Sequence, residues 1–111
     1  MSEKTIGIVG TRVRATEQLV DYMRDSCSKS GKDYNIFIIS TDDITKLFEA
    51  KIRGGISIII LTPQLSSLYM HLKSSAKECE IPVGLIEVKN SIIALGEDAM
   101  LVAEKLMINE V

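Results

Sequence analysis

Apolar and polar positions along the chain alternate between two periods. Thr5-Ile6-Gly7-Ile8-Val9-Gly10 is a short apolar run closed by glycine, the signal of a buried strand. Beyond the polar stretch Thr11 to Arg14, Leu19, Val20, Met23 and Cys27 recur at helical spacing, and this helix should end near Ser30-Gly31. Tyr34-Asn35-Ile36-Phe37-Ile38-Ile39 is a second strand, rich in β-branched and aromatic residues. Ile44, Leu47, Phe48 and Ile52 mark a short second helix, capped from Ser40 to Asp43 and stopped by Arg53-Gly54-Gly55. Ile56 to Leu61 is a third strand whose near-continuous apolar run places it mid-sheet, covered on both faces.

Thr62-Pro63 opens a third helix, since Thr is a favoured N-cap and Pro suits the first helical position. Its apolar stripe reads Leu65, Leu68, Tyr69, Leu72, Ala76 and Cys79, and Ile81-Pro82 breaks it. Val83 to Val88 is a fourth strand and Lys89 to Leu95 a linker. Gly96-Glu97-Asp98 starts a last helix, with Ala99, Ala103, Leu106 and Met107 on its core side. Strands alternating with helices imply βαβ units and a parallel sheet. The expected architecture is α/β, a three-layer α/β/α sandwich with strand order 2-1-3-4, in a single domain spanning residues 1–111. In such folds ligands gather at the carboxyl ends of the strands. That rim carries Gly10–Thr16, Ser40–Asp43, Thr62–Gln64 and Lys89–Asn90.

Composition narrows the classes. Thirteen Lys and Arg against fifteen Asp and Glu give a net charge of −2, which excludes a globally basic nucleic-acid binder. The run Ile56 to Leu61 is far too short to cross a bilayer, so no membrane insertion is expected. The stretch Met1-Ser2-Glu3-Lys4 lacks a signal-peptide layout, and two cysteines in a chain of ordinary core size should stay reduced. A cytoplasmic protein is the expectation. One histidine and two distant cysteines build no zinc site, and no cofactor or metal is expected.

The candidate chemistry lies in Gly10-Thr11-Arg12-Val13-Arg14-Ala15-Thr16. This segment leaves the first strand and enters a helix N-terminus, where free N–H groups and the helix dipole attract anions. Arg12 and Arg14 add guanidinium forks suited to phosphate or sulfate. It is neither a G-x-G-x-x-G nor a Walker segment. Asp42 and Asp43 read as helix caps rather than as a metal or acid–base pair. His71 lies off the apolar stripe of the third helix, and Cys27 and Cys79 fall on such stripes as inert thiols.

The stretch Ile59-Ile60-Leu61-Thr62-Pro63-Gln64-Leu65 with Tyr69, together with the βα order and the length, resembles the lactose/cellobiose-type enzyme IIB of the sugar phosphotransferase system. That family has an apolar strand, a small residue, Pro-Gln and an aromatic a turn later. Thr62, Pro63, Gln64 and Tyr69 match it and would face partners. The resemblance implies a carrier that takes a phosphoryl group from an enzyme IIA and passes it to sugar held by a IIC permease. In the family the first strand runs at once into a phosphoryl-accepting cysteine, followed by a phosphate-wrapping loop. Here that position is Gly10, which has no side chain, and Thr11 and Thr16 lack a general base. The readings are therefore a phosphotransferase component in the broad sense, or a noncatalytic derivative that binds a partner or anion and regulates. A more distant similarity is to the F subunit of V-type ATPases, a structural rotor component with a related opening strand.

Overall fold

The computed structural model describes residues 4–10, 14–49 and 55–108. Strands β1 (Lys4–Val9), β2 (Tyr34–Ile39), β3 (Ile58–Leu61) and β4 (Val83–Leu85) form one parallel sheet in the order β2-β1-β3-β4. Helices α1 (Arg14–Ser30), α2 (Thr41–Glu49), α3 (Tyr69–Glu78) and α4 (Ile92–Ile108) follow the strands in turn. The sequence-based sheet order and layer arrangement hold.

The alternation of strand side chains divides the core between two faces. Ile6, Ile8, Ile58 and Ile60 pack with Leu19 and Met23 of α1 and Ala99 and Ala103 of α4. Val9, Ile59 and Leu61 pack on the other face with Ile44 and Phe48 of α2 and Leu72 and Ala76 of α3. β3 is buried on both sides along its whole length, which is why its sequence lacks polar alternation. Each fully buried isoleucine contributes roughly 1.5–3 kcal/mol, so this sheet centre dominates the stability. At the β2 edge, Arg24 donates from Nε and Nη2 to the Ile36 carbonyl at 2.9 and 2.6 Å, occupying an acceptor on an edge strand.

Several boundaries differ from the sequence reading. β4 stops at Leu85 rather than Val88 because β3, its partner among the described strands, has already ended at Leu61. Ile86 makes a last bond, donating to the Leu61 carbonyl at 3.2 Å, and Val88 is exposed. The last helix starts at Ile92, not Gly96. Ser91 caps it, its Oγ accepting from the Ala94 N–H at 3.1 Å. The cap of α2 is Ser40, whose Oγ accepts from the Asp43 N–H at 3.1 Å. Asp42 and Asp43 are thus exposed first-turn acids, placed where the dipole favours them, rather than caps. Ile52 and Arg53-Gly54, read as the end of that helix, lie outside the described residues.

The third helix departs most. Pro63–Leu68 is a 3₁₀ segment with a non-helical residue at Leu65, and regular α-helix begins only at Tyr69. The kink resets the helical phase. Leu65, Leu72, Ala76 and Cys79 remain buried, but Leu68 turns outward and Tyr69 is half-buried. Leu68 therefore leaves the apolar stripe assigned to it from the sequence.

Candidate functional site

Because the strands are parallel, their carboxyl ends share one edge, and two of them pack closely against each other there. Val9 pairs with Leu61, so Gly10 and Thr62 are the next positions across the β1–β3 ladder. The Thr62 N–H donates to the Val9 carbonyl at 3.2 Å and holds the two strand ends together. Strand alternation sends the side-chain directions of residues 10 and 62 to the α1 side, the side of Ile8 and Ile60. There they meet the first turn of α1. A Cβ on Gly10 would stand 3.0 Å from Thr62 Cγ2, 3.2 Å from Thr62 Oγ1 and 3.3 Å from Thr16 Cγ2.

Thr62 and Thr16 are each only 3% exposed. Thr62 has extended backbone at the helix N-cap position, yet its side chain makes no capping hydrogen bond. Its Oγ1 is buried without a hydrogen-bond partner among the described residues. Two sequence-based assignments change accordingly. Thr62 is not a partner-facing rim residue, because the side chain is enclosed beneath α1. Thr16 belongs to the buried stripe of α1 with Leu19, Val20, Met23 and Cys27, and it turns a methyl toward Gly10.

The remaining candidates divide clearly. Arg14 and Ala15 are exposed in the first turn of α1, where the N–H groups have no intrahelical acceptor. Thr11, Arg12 and Val13 lie outside the described residues. Gln64 is exposed and Pro63 half-buried. Half-buried Tyr69 has the Lys73 ammonium 5.4 Å from its ring centroid. Ser40 falls within the stretch Ser40 to Asp43 expected to cap α2, whereas the sequence reading missed the cap Ser91 and the Thr62 hydroxyl that no described residue partners. The signal for the last was a hydroxyl directly after a fully apolar central strand.

Neither thiol replaces a nucleophile at position 10. Cys27 and Cys79 are free and buried, in the cores on opposite faces of the sheet. From Arg14 to Cys27 the rise along α1 is about 20 Å. Burial pushes the Cys27 thiol up, beyond the partial offset from the Lys32 ammonium, with the Glu104 carboxylate adding to the rise. A raised thiol means that the neutral form stabilises the fold below the ordinary thiol range. This contribution is lost as pH climbs through the raised value. Native alkylation of Cys27 by iodoacetamide at pH 8 should be at least about tenfold slower than in the urea-unfolded chain. Equal rates would show an open, ionisable thiol.

No protein-family model matches the chain. Among curated proteins it is 26% identical over 107 residues to the galactose-specific EIIB component of a phosphotransferase system (PTS) from Lactococcus lactis subsp. cremoris, covering 96% of this chain and 99% of the relative. The cellobiose-specific EIIB component of Lactococcus lactis subsp. lactis matches with the same identity and coverage. The relatives are EIIB components of the PTS. Solved structures show the same fold. The lactose-specific IIB domain of Streptococcus pneumoniae superposes with a TM-score of 0.71 at 16% identity, covering 96% of both chains. The cellobiose-specific IIB protein of Borrelia burgdorferi gives 0.73 at 18% identity, covering 98% of this chain and 95% of that one. The EIIB-like fold thus spans nearly the whole chain. No helix among the described residues is long and apolar enough to cross a membrane.

Proposed function

We propose that this protein is a cytoplasmic, single-domain EIIB-type component of lactose/cellobiose kind. In this reading it docks with EIIA- and EIIC-type partners and holds a phosphate-sized anion without forming a covalent phosphoryl intermediate. The observation that carries the reading is Gly10. It follows β1 directly, where the resembled family places its phosphoryl-accepting cysteine, and it offers no atom that can attack phosphorus.

Support for noncovalent binding comes from the surroundings of Gly10. The N-terminus of α1 supplies N–H groups and positive dipole potential. Arg14 stands in the same turn. The Thr62 hydroxyl is buried beside Gly10 and has no hydrogen-bond partner among the described residues, a costly state that an anion oxygen or a bound water would relieve. Half-buried Pro63 and exposed Gln64 follow Thr62 directly, and in this reading an EIIA-type donor would sit on them and on half-buried Tyr69.

The test is exposure of the purified protein to phosphoenolpyruvate and the upstream relay proteins, followed by intact mass spectrometry. The unmodified chain should gain no phosphoryl mass, and gain of one would overturn the noncatalytic reading. Phosphate at ten times its Kd should add about 1.4 kcal/mol of stability. Replacement of Arg12 and Arg14 by alanine should abolish that gain. Thr62→Val exchanges the hydroxyl for a methyl of similar size and should raise ligand-free stability by about 1–3 kcal/mol while weakening the phosphate effect. A Tm that ignores phosphate and sulfate up to high millimolar concentration would rule out the anion site.

A further inference from the structure

We infer that Thr62 closes the carrier position: Gly10 and Thr62 are a size-matched pair, and the Thr62 side chain fills the room that a side chain at residue 10 requires. The inference rests on the reading of Gly10 just given. The backbone does not demand glycine there. Only Gly31 and Gly55 have positive φ among the described glycines, so Gly10 lies outside the left-handed region and its conformation admits a side chain. Space is the obstacle. The two heavy branches of Thr62 would lie 3.0 and 3.2 Å from a Cβ at residue 10, and the Thr16 methyl would lie 3.3 Å away.

Thr62 has no way to step aside. Two of the three staggered positions about its χ1 carry a heavy atom, and both now face Gly10. Any rotation leaves at least one of those two positions occupied. The residue is 3% exposed, so the side chain has no outward escape. Its backbone is tied to Val9 through the 3.2 Å hydrogen bond and is followed at once by Pro63, which fixes the chain. Nor does a hydrogen bond explain its presence, since the hydroxyl neither caps the following helix nor finds another partner among the described residues. Besides the hydroxyl it offers to an anion, Thr62 contributes volume at this spot, pressed against a glycine.

A thiol at residue 10 would therefore sit with less crowding once Thr62 is cut back. With Gly10→Cys and Thr62→Ala together, the sulfur would lie at the N-terminus of α1, where a thiolate is favoured. It would attack the phosphorus of a phosphohistidine on the donor protein. The S–P bond forms as the P–N bond breaks, and the departing histidine nitrogen keeps the electron pair and takes a proton from water.

Thermal melts of Gly10→Ala, Thr62→Ala and the double variant test the packing directly. Gly10→Ala alone should lower Tm by about 4–8 °C. In the Thr62→Ala background the same change should be neutral or raise Tm, because alanine also restricts the unfolded chain. An equal drop in both backgrounds would overturn the inference. Relay labelling then compares Gly10→Cys with Gly10→Cys/Thr62→Ala. At least tenfold more phosphoryl incorporation in the double variant is expected, whereas equal incorporation would overturn the closing role of Thr62 and leave the Gly10 reading intact. Coupled melts with label on neither variant would confirm the packed pair and overturn the placement of Gly10 at the carrier position.

Discussion

Leu72→Ala should cost about 2–5 kcal/mol, while Leu68→Ala, one helical turn earlier, should cost under about 1 kcal/mol. Leu72 is 4% exposed and packs with Ala76, Leu61 and their neighbours beneath the sheet, so its truncation leaves a cavity the core cannot fill. Leu68 is 39% exposed at the end of the 3₁₀ segment and loses little by shortening. Urea denaturation with an unchanged m-value gives both numbers directly. Matching losses for the two variants would mean that the phase break at Leu65 does not exist and that an unbroken α-helix runs from Pro63.

This contrast marks where the sequence stops being readable. The periodicity from Leu19 to Cys27 and the strand Tyr34–Ile39 were legible because propensity, pattern and turn signals agree there, with Gly31 ending α1 at a φ of +69°. After Thr62 the signals conflict. Thr-Pro is a proper helix opening, yet the turn that follows is 3₁₀, and nothing in the residue types of Leu65 or Leu68 reveals a change of phase. The start of α4 was missed for a related reason. Ile92-Ile93-Ala94-Leu95 looks like a strand fragment or a linker, and Gly96 looks like punctuation. A serine cap at Ser91 and burial against α1 outweigh both signals.

The site was legible as a place rather than as a set of contacts. Parallel topology alone puts Gly10 and Thr62 at the same edge, and an absent side chain is visible in any sequence. Whether Thr62 would face a partner or an interior depends on register. Residue 62 falls on the α1 side because Ile58 and Ile60 do, and that assignment needs the sheet. The same register explains how one hydroxyl came to be buried without a partner among the described residues. Thr62 continues the inward alternation of β3 by one position beyond the strand's last ladder residue, Leu61, into a space bounded by glycine and by a methyl group.

Gly96→Ala should destabilise the protein by about 1–3 kcal/mol, against the gain of about 1 kcal/mol that the same change brings in an exposed helix interior. Gly96 is buried within α4, five residues after the Ser91 cap in sequence, so helix propensity favours alanine. The opposing effect is contact with α1. A Cβ on Gly96 would overlap Tyr22 Cδ1 and stand 2.7 Å from Cε1 and 3.1 Å from Cγ, the last being the base of the ring rather than its tip. The ring must swing away or the helices must separate. Separation would loosen the packing of Leu19 and Met23 against Ala99 and Ala103, the seam between α1, α4 and the sheet. The sign of the effect therefore reports the α1–α4 approach. Removing the ring with Tyr22→Ala should return Gly96→Ala to its intrinsic helix preference and make it stabilising in that background. If Gly96→Ala raises the urea midpoint in the otherwise unaltered chain, the two helices do not approach each other as closely as these contacts require.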